Sequence, residues 1–427
     1  MNKILNFGAM LTIAAGAVAF NSSCSSNDMP SYDPGANKAA TYQDKFVEAF
    51  GNIDPKNDWG FGEDIPSNPK PTKSADPNAN MWGGYVEVPE PLTDAQKTVV
   101  TTWFANHQNP TGIAINWSDF FVQQVSSTDY GRNMDYLTCG TDEEHVYNFN
   151  NGDGSTNGNV CYWQDPNDQN NKRSGSDKIQ FMINSSTECF GYHDSRGTYN
   201  QQYNNKYVII PGSIIDSSVE GMYFVGFDYN SSKGEGSSEN IDADGYYNDW
   251  IVKITPGLYK GGQRVMCEDL GATADYDFND IVFDVKNDAY GYPGGNDWDP
   301  ATIITVRAAG GTLAATIAGR EIHELLGVKT TDMVNTGEKS APVAIFRIAR
   351  VSNAKDIQIK VGNDEGTWEL TTATGKAPQK ICVPNDTKWN KEYKNINISY
   401  PDFNNYVKDA ETYKEWYKNI ADNHELY

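Results

Sequence analysis

The sequence predicts a mainly β protein, built from multi-strand antiparallel β-sandwich regions with a few short helices near the N-terminus and at the C-terminus. Beyond residue 106 it is rich in Tyr, Asn, Gly, Asp and Ser, and short β-forming runs alternate with polar loops. No helical period separates the later runs, which favours a sandwich over a parallel sheet. Strands are expected at residues 207–210, 222–227, 250–255, 265–267, 281–285, 302–308, 312–317, 343–348, 357–361 and 380–383. Residues 140–175 are expected to form a long loop or an insertion.

Helical spacing of apolar residues occurs in three places. Residues 42–50 place apolar side chains on one face. Thr93 followed by Gln96 has the pattern of a capping box, and apolar residues at helical spacing come directly after it. Over residues 401–417, aromatic and apolar residues recur every three or four positions after an initial proline. We therefore expect two helices near the N-terminus and one helix that closes the chain.

The first residues have the pattern of an export signal. Lys3 is followed by an apolar stretch over residues 4–20, which is too short and too weakly flanked to remain as a membrane span. Two processing sites compete. Ala17-Val18-Ala19 fits ordinary cleavage, whereas Cys24 stands where a bacterial lipoprotein carries its acylated first residue. We favour Cys24, and so expect residues 1–23 to be a signal peptide.

The residues around Cys24 bear on the lipid anchor. Ser25-Ser26-Asn27-Asp28 resembles the export tag of surface lipoproteins of the Bacteroidota, while Asn21 departs from the Leu that is usual at that lipobox position. The expected location is the surface of the cell outer membrane, with the membrane as a partner through the lipid. The expected organisation is a tether with a short helix at 24–84, a β-rich region at 85–205 and a sandwich domain at 206–427.

The chain is strongly acidic, with 57 Asp and Glu residues against 34 Lys and Arg and a net charge of −23. Such a charge repels phosphates, so nucleic acid is excluded as a partner, whereas divalent cations are attracted. Besides Cys24, the cysteines are scattered and contain no C-x-x-C pair, so no zinc site is predicted. Calcium is therefore the expected cofactor.

An acidic and aromatic motif occurs twice. Residues 247–254 match residues 278–285 at a constant offset of 31 positions, and each copy contains Asn-Asp followed by a β-forming run. The same offset carries Asp244 onto Asp275. Each copy also follows a short apolar run that ends in an acidic residue. We therefore expect a unit of strand, acidic loop, Asn-Asp and strand, with the two copies beginning paired strands of one sheet.

These acidic loops offer the ligands that calcium takes, which are six to eight oxygens at about 2.3–2.6 Å. The alternative is that Asn and Asp form polar turns by bonding their own backbone. We favour calcium for the second copy and leave both interpretations open for the first. Tyr276 and Phe278 are expected to lie in the sheet core. The predicted ligands are Glu268, Asp269, Asp275, Asp277, Asn279 and Asp280 in the second copy and Asp244, Asn248 and Asp249 in the first.

The second copy belongs to a longer pattern of residues. Residues 267–270 and 275–284 are followed by Gly310-Gly311-Thr312-Leu313, by residues 321–327 and by a tail over residues 381–417. This pattern resembles the LruC-type domain of bacterial surface and secreted proteins, from about Lys206 to Tyr417. The resemblance implies a cell-envelope β protein with a calcium-binding acidic motif, and it carries over no enzymatic reaction.

No catalytic motif is identifiable in the sequence. His323-Glu324 begins like the zinc-protease motif H-E-x-x-H, but the fifth position is Gly327. We therefore expect a cell-surface binding or adhesion module and not an enzyme, with a host or cell-surface protein or glycan as partner and a fimbria-like assembly as one form of that role. The alternative is a carbohydrate-binding or glycan-processing envelope lipoprotein. Aromatic side chains that converge with carboxylates in one cleft would favour the alternative.

Overall fold

The computed structural model describes most of the chain from residue 34 onward. The described residues are 34–67, 92–117, 120–127, 136–139, 146–148, 162–165, 168–174, 181–182, 190–194, 197–199, 206–228, 244–271, 275–288, 301–364 and 366–427. Cys24 and the predicted signal peptide lie outside them. Within the described ranges, no helix combines the length and the apolar composition that crossing a bilayer requires.

Two helices near the N-terminus are longer than the others. The helices are α1 (Pro34–Phe50), α2 (Asp94–Asn106), α3 (Gly212–Ile215), α4 (Ile322–Leu325), α5 (Ile396–Ser399) and α6 (Phe403–Lys408). The capping box of α2 is confirmed, because Thr93 and Gln96 each bond the backbone N–H of the other. Helix α1 starts at Pro34 rather than at residue 42, since proline suits the first turn of a helix.

The predicted helix over residues 401–417 is only partly present. Helix α6 ends at Lys408, and the backbone then bonds the loop that follows α1. Ala410 N–H donates to the Asp54 carboxylate at 3.0 Å, and Asp54 N–H donates to the Val407 carbonyl at 2.8 Å. These bonds to Asp54 replace the next helical turn. The remaining residues form turns and a 3-10 turn at Trp416–Lys418.

Strands make up most of the regular structure. They are β1 (Asn116–Trp117), β2 (Phe120–Ser127), β3 (Tyr136–Cys139), β4 (Val146–Asn148), β5 (Tyr162–Asp165), β6 (Asp168–Ser174), β7 (Phe181–Met182), β8 (Phe190–Asp194), β9 (Gly197–Tyr199), β10 (Lys206–Pro211), β11 (Tyr223–Asp228), β12 (Trp250–Pro256), β13 (Gln263–Cys267), β14 (Ile281–Asp288), β15 (Ala301–Ala308), β16 (Ala314–Ile317), β17 (Arg320–Glu321), β18 (Ala344–Ala349), β19 (Ile359–Asn363), β20 (Gly366–Glu369) and β21 (Lys380–Pro384). The mainly β class is confirmed.

These strands form four sheets. Their orders are β21-β13-β14-β15-β18-β1-β7, β10-β11-β12-β2, β17-β16-β19-β20 and β6-β5-β4-β3-β8-β9. Among the described pairs, β1 runs parallel to β18 and the others are antiparallel. Every strand expected between residues 207 and 383 is present, with bounds that differ by a few residues.

Some strands lie where the sequence does not predict them. β4, β5 and β6 fall inside residues 140–175, which were expected to be a loop or an insertion. β6 has the sequence DQNNKRS, which contains no apolar residue and so no alternation to recognise. β20 offers Trp368 as its one large apolar residue, and this residue stands opposite Val361 of β19.

The hydrophobic interior is divided between two clusters. The main core joins the seven-stranded sheet, the β17-β16-β19-β20 sheet, α1 and the segments after β21. A second core joins α2 to the β10-β11-β12-β2 sheet. The second copy of the acidic motif therefore adjoins the main core, and the first copy adjoins the second core.

Each Asn-Asp motif comes directly before a strand, as expected, but the two strands do not pair. β12 lies between β11 and β2, whereas β14 lies between β13 and β15 in another sheet. The expectation of one shared sheet is therefore wrong, because each copy pairs with the strand that precedes it. Residues 281–285 are all buried, so the two faces of β14 do not differ in exposure.

Candidate metal centre

The second copy forms a loop between β13 and β14, here named the acidic loop and consisting of residues 268–271 and 275–280 of the described chain. Tyr276 and Phe278 adopt the left-handed backbone region, with φ of 55° and 54°. This conformation is unfavourable for aromatic residues, so surrounding contacts must stabilise it. Their side chains provide those contacts, because both are buried in the main core as expected.

Helix α1 packs directly on the acidic loop. The rings of Tyr42, Phe46 and Phe50 lie one helical turn apart and all contact Tyr276, with ring centroids at 5.7, 5.6 and 5.1 Å. On the C-terminal side, Phe278 lies 5.9 Å from Phe403 of α6. The aromatic rings therefore anchor the loop from both ends of the chain, and its acids are gathered between these anchors.

Three carboxylates of the acidic loop converge. Glu268, Asp275 and Asp277 each offer an oxygen, and these oxygens all lie within 4.8 Å of one another. Ligands on opposite sides of one calcium ion would stand about 5 Å apart, so the spacing suits a single cation. Glu268 and Asp277 are buried, and Asp275 is half-buried. This trio, here named the carboxylate triad, could hold a metal ion.

Backbone bonds fix two members of the triad. A Glu268 carboxylate oxygen accepts the Phe278 N–H at 2.8 Å. Asp277 Oδ1 accepts the Asn279 N–H at 3.3 Å, and its Oδ2 accepts the Tyr393 N–H at 2.8 Å. The side chains are therefore held in place by the protein before any ligand arrives, which lowers the entropic cost of binding.

The electrostatics of this cluster oppose ionisation. Burial raises the pKa of Glu268 well above its usual range, and the neighbouring Asp277 and Asp275 raise it further. Burial together with Asp275 and Glu392 raises the pKa of Asp277 to about 8. The pKa of Asp280 is also raised, by burial and then by Asp269, Glu268 and Asp277. A bound cation would reverse these shifts, because it favours the ionised form of each acid.

The other predicted ligands of the second copy lie beside the triad. Asp280 Oδ2 accepts the Asp269 N–H at 2.8 Å, and Asp269 Oδ1 accepts the Gly271 N–H at 2.6 Å. Burial raises the pKa of Asp269, while the Gly271 bond and Lys38 oppose the increase. Asn279 is fully buried and donates through Nδ2 to the Asn390 carbonyl at 3.1 Å. The structure therefore brings all six predicted residues of this copy into one region.

The first copy shares one kind of backbone bond with the second copy and has a different set of side chains. Buried Asp228 accepts the Gly245 N–H at 2.9 Å, much as Glu268 accepts the Phe278 N–H. However, Tyr246 stands at the position that matches Asp277, so the central carboxylate is missing.

The predicted ligands of the first copy make backbone bonds. The exposed Asp244 accepts the Tyr246 N–H at 2.8 Å, and Asp249 N–H donates to the Phe227 carbonyl at 3.2 Å. Asn248 is half-buried. In the part of the chain that the structure describes, these residues join no cluster of metal-ligating side chains. Their metal role stays a prediction.

Glu392 belongs to the same acidic region and was not among the predicted ligands. It follows β21 by several residues, and burial raises its pKa to about 7, with Asp275 and Asp269 adding to the increase. Its neighbour Tyr393 donates to Asp277, as described above. No sequence signal marks Glu392, because it lies more than a hundred positions from the motif in a segment without acidic repeats.

The remaining chemically suggestive residues have structural surroundings. His323 is buried, with Nδ1 2.8 Å from Glu321 and Nε2 3.2 Å from the Gly311 carbonyl. Cys267 and Cys382 are buried free thiols. Burial raises the pKa of both thiols, that of Cys382 to about 12, which makes them poor nucleophiles.

Comparisons with known proteins assign no family to this chain. No family model matches it, so the LruC resemblance stays a prediction, and no curated protein matches it either. One solved structure is similar over part of its length, a Bacteroides ovatus protein named as a candidate lipoprotein. The two are 12% identical, with 52% of this chain and 93% of that chain covered and a TM-score of 0.28. That score is too low to transfer a fold or a function.

Proposed function

We propose that this chain is a lipid-anchored surface protein of a bacterial outer membrane that acts as a calcium-stabilised binding or adhesion module. The observation that carries the calcium part is the carboxylate triad, with its oxygens within 4.8 Å of one another. Buried carboxylates this close repel one another unless protons or a cation neutralise them. Outside the cytoplasm, a hard divalent cation is the natural neutralising group for oxygen ligands.

Calcium fits the acidic loop better than magnesium does. Calcium accepts six to eight oxygens in flexible geometry, whereas magnesium requires near-ideal octahedral coordination at about 2.0–2.1 Å. Two of the three triad side chains, Glu268 and Asp277, are fixed by bonds from backbone N–H groups, so they cannot contract freely around a smaller ion. The role we assign to calcium is structural, since the loop contacts α1, β14 and α6 at once.

The envelope location rests on the sequence. Cys24 would carry the lipid, and the export tag after it would direct the protein to the outer surface. The net charge of −23 favours solubility and disfavours anionic partners. In this proposal the partner is a host or cell-surface protein or glycan, and a fimbria-like assembly is one form in which the module would act.

A calcium titration of the purified protein without its signal peptide tests the core of the proposal. Isothermal titration calorimetry in metal-free buffer should show saturable calcium binding, and magnesium should bind more weakly. Thermal unfolding should shift upward with calcium and downward with a chelator. If calcium does not change the melting curve of protein that was shown beforehand to be free of metal, the acids are ordinary turn residues and not calcium ligands.

A groove of about 900 Å³ supports the second candidate function, which is carbohydrate binding. Its lining brings aromatic residues and acids together, which is the feature expected to favour that alternative. These residues are Tyr406, Trp416, Tyr417, Asp58, Glu63 and Asp386. Tyr417 is half-buried and offers a ring for stacking, whereas Tyr406 and Trp416 are buried. A glycan array combined with a hydrolysis screen separates binding from processing, and Tyr417→Ala should weaken any glycan signal.

A further inference from the structure

We infer that Glu392 and Asn279 complete the calcium site, so that the cation fastens the segment after β21 to the acidic loop. The inference rests on the proposed calcium function and adds to it one residue, Glu392, from a distant part of the chain. The calcium site would then join two segments of the chain, the acidic loop and the segment after β21.

The first observation is an unpartnered oxygen on Asn279. This residue has 0% exposure, and its amide nitrogen is bonded to the Asn390 carbonyl. Its Oδ1, by contrast, has no hydrogen-bond partner. A buried amide oxygen without a donor is unfavourable, and native proteins pair nearly all such groups. The atom is thus an available ligand within the acidic loop.

The second observation is a similar oxygen on Glu392. Its Oε2 is buried and accepts no hydrogen bond of normal geometry, although the Thr336 hydroxyl lies beside the carboxyl group and lowers its pKa. A Cβ added to Gly310 would overlap both this oxygen and Asn279 Oδ1, so the two atoms flank the same glycine. Both atoms are acceptors when the acid is ionised, and neither can satisfy the other. Either a proton on Glu392 or a cation between them would satisfy both atoms.

The charges around Glu392 connect it to the triad. Glu392 raises the pKa of Asp277, and Asp275 and Asp269 raise the pKa of Glu392 in return. These acids therefore repel one another when ionised, and a single cation would reduce that repulsion. With one oxygen from each member, the triad supplies three of the six to eight oxygens that calcium takes. Glu392 and Asn279 bring the oxygen-bearing side chains to five, and water can supply the rest.

Backbone bonds already hold the two segments in register. Tyr393 N–H donates to Asp277, and Ile396 N–H donates to the Tyr276 carbonyl at 2.9 Å. Glu392 N–H donates to the Thr336 carbonyl at 2.9 Å, which fixes its backbone as well. Gly310 N–H lies 3.1 Å from the Asn279 carbonyl. Glu392 is therefore presented to the acidic loop from a fixed backbone, as a ligand requires.

The test uses Glu392→Gln, which keeps the shape of the side chain and removes its charge. Glu338→Gln is the matched control, because Glu338 is exposed and is not among the acids described around this site. Calcium affinity by calorimetry should fall at least about tenfold in the first variant, since affinity follows the number of charged ligands, and should stay unchanged in the second. Circular dichroism in chelator checks that both variants fold.

Two further measurements report on the cation's coordination and on the segment after β21. Terbium, used in place of calcium, should retain more bound water in Glu392→Gln than in the unmodified protein, as read from luminescence lifetimes in water and deuterated water. Calcium should slow amide hydrogen exchange over residues 390–396 in the unmodified protein and not in this variant.

The possible outcomes separate this inference from the proposed function. If the unmodified protein binds no calcium, the proposed function fails and this inference fails with it. If it binds calcium while Glu392→Gln matches it in affinity, bound water and exchange, only this inference is overturned. The unpartnered oxygens would then be joined by a proton on Glu392.

Discussion

The Glu268 carboxylate accepts the backbone N–H of Phe278 at 2.8 Å, across the acidic loop. This bond draws the end of β13 toward the start of β14 and places a buried acid beside Asp277 and Asp275. The loop therefore gains its shape from a carboxylate whose ionisation its surroundings oppose. The consequences for stability can be measured by substituting residues, by changing the pH and by adding or removing calcium.

Asp277→Asn should remove the calcium response. Asp277 is the buried member of the triad that also bonds the C-terminal segment, and the substitution keeps its shape while removing its charge. A ligand that binds the native state alone stabilises it by about 2.7 kcal/mol at a concentration of one hundred times Kd. Thermal unfolding with and without calcium should show that increase for the unmodified protein and lose it in the variant.

The matched control for Asp277→Asn is Asp364→Asn, at an exposed position. It should keep the full calcium response. In chelator, Asp277→Asn should differ little in stability from the unmodified protein, because the loss of one repulsive carboxylate offsets the loss of one of the two backbone N–H bonds that Asp277 accepts. Equal calcium responses in the two variants would contradict the assignment of Asp277 as a ligand.

Stability of the calcium-free protein should fall as the pH rises from about 4 to about 8. An Asp in the unfolded chain has a pKa near 4, whereas the folded protein raises the pKa of Asp277 to about 8 and that of Glu392 to about 7. Between these values the folded state binds more protons than the unfolded state, so the free energy of unfolding decreases with pH. Urea unfolding in chelator at pH 5 and pH 8 measures the decrease.

Calcium should flatten this pH dependence, because the bound cation replaces the protons on the acids. Asp277→Asn in chelator should also show a smaller decrease, since one of the titrating groups has been removed. A rise in stability from pH 5 to pH 8 in chelator would mean that these acids are ionised in the folded protein without calcium.

Asp284→Ala should be strongly destabilising. Asp284 on β14 is buried and accepts from Arg264 and Arg307, with 2.7 Å to each Nε atom. Removing the acid leaves two cations without their partner in a region of low exposure, which costs about 3–5 kcal/mol. Chemical denaturation measures the loss. Glu415→Gln, which breaks the exposed pair with Lys418, should change little, and similar losses in both variants would disprove the burial argument.

Cys24→Ala should abolish membrane association in the native host. In the unmodified protein, mass spectrometry of membrane fractions should find a lipid on Cys24 as the first residue. An unmodified N-terminus at Phe20 would instead assign processing after Ala17-Val18-Ala19. Membrane association that survives the substitution would show that the anchor lies elsewhere.

Most strands of the second half could be predicted because they are apolar runs bounded by turn residues, such as Ile281–Asp288 after Asn-Asp. The pairing partners of these strands could not be predicted. The internal repeat indicated one sheet, but β11 and β13 each pair with the strand that follows them. Pairing depends on contacts between distant segments, which local pattern does not contain. The C-terminal helix was overestimated for a similar reason, since the bonds to Asp54 come from the other end of the chain.

The candidate site, too, could be predicted only in part from the sequence. The acidic loop could be located from its own residues, because carboxylates at short spacing in a turn are visible in sequence. Glu392 could not, because its position beside Asp277 is created by the packing of Tyr393 and Ile396 on the loop. The aromatic residues Tyr276 and Phe278 were correctly expected in the core, since alternating aromatics before a strand are typical of buried positions.

The contact of Ala410 with Asp54 spans 356 positions of the chain, and this separation has a consequence for how the protein matures. Helix α1 leaves the ribosome early and Phe46 has a nearby partner in Trp59, yet Phe50 lacks its contacts until Tyr276 and Phe403 have been synthesised. Contacts of such high sequence separation form late and make folding slow. If the chain is exported as we propose, a core that closes only when the chain is nearly complete keeps it open for threading through an export channel.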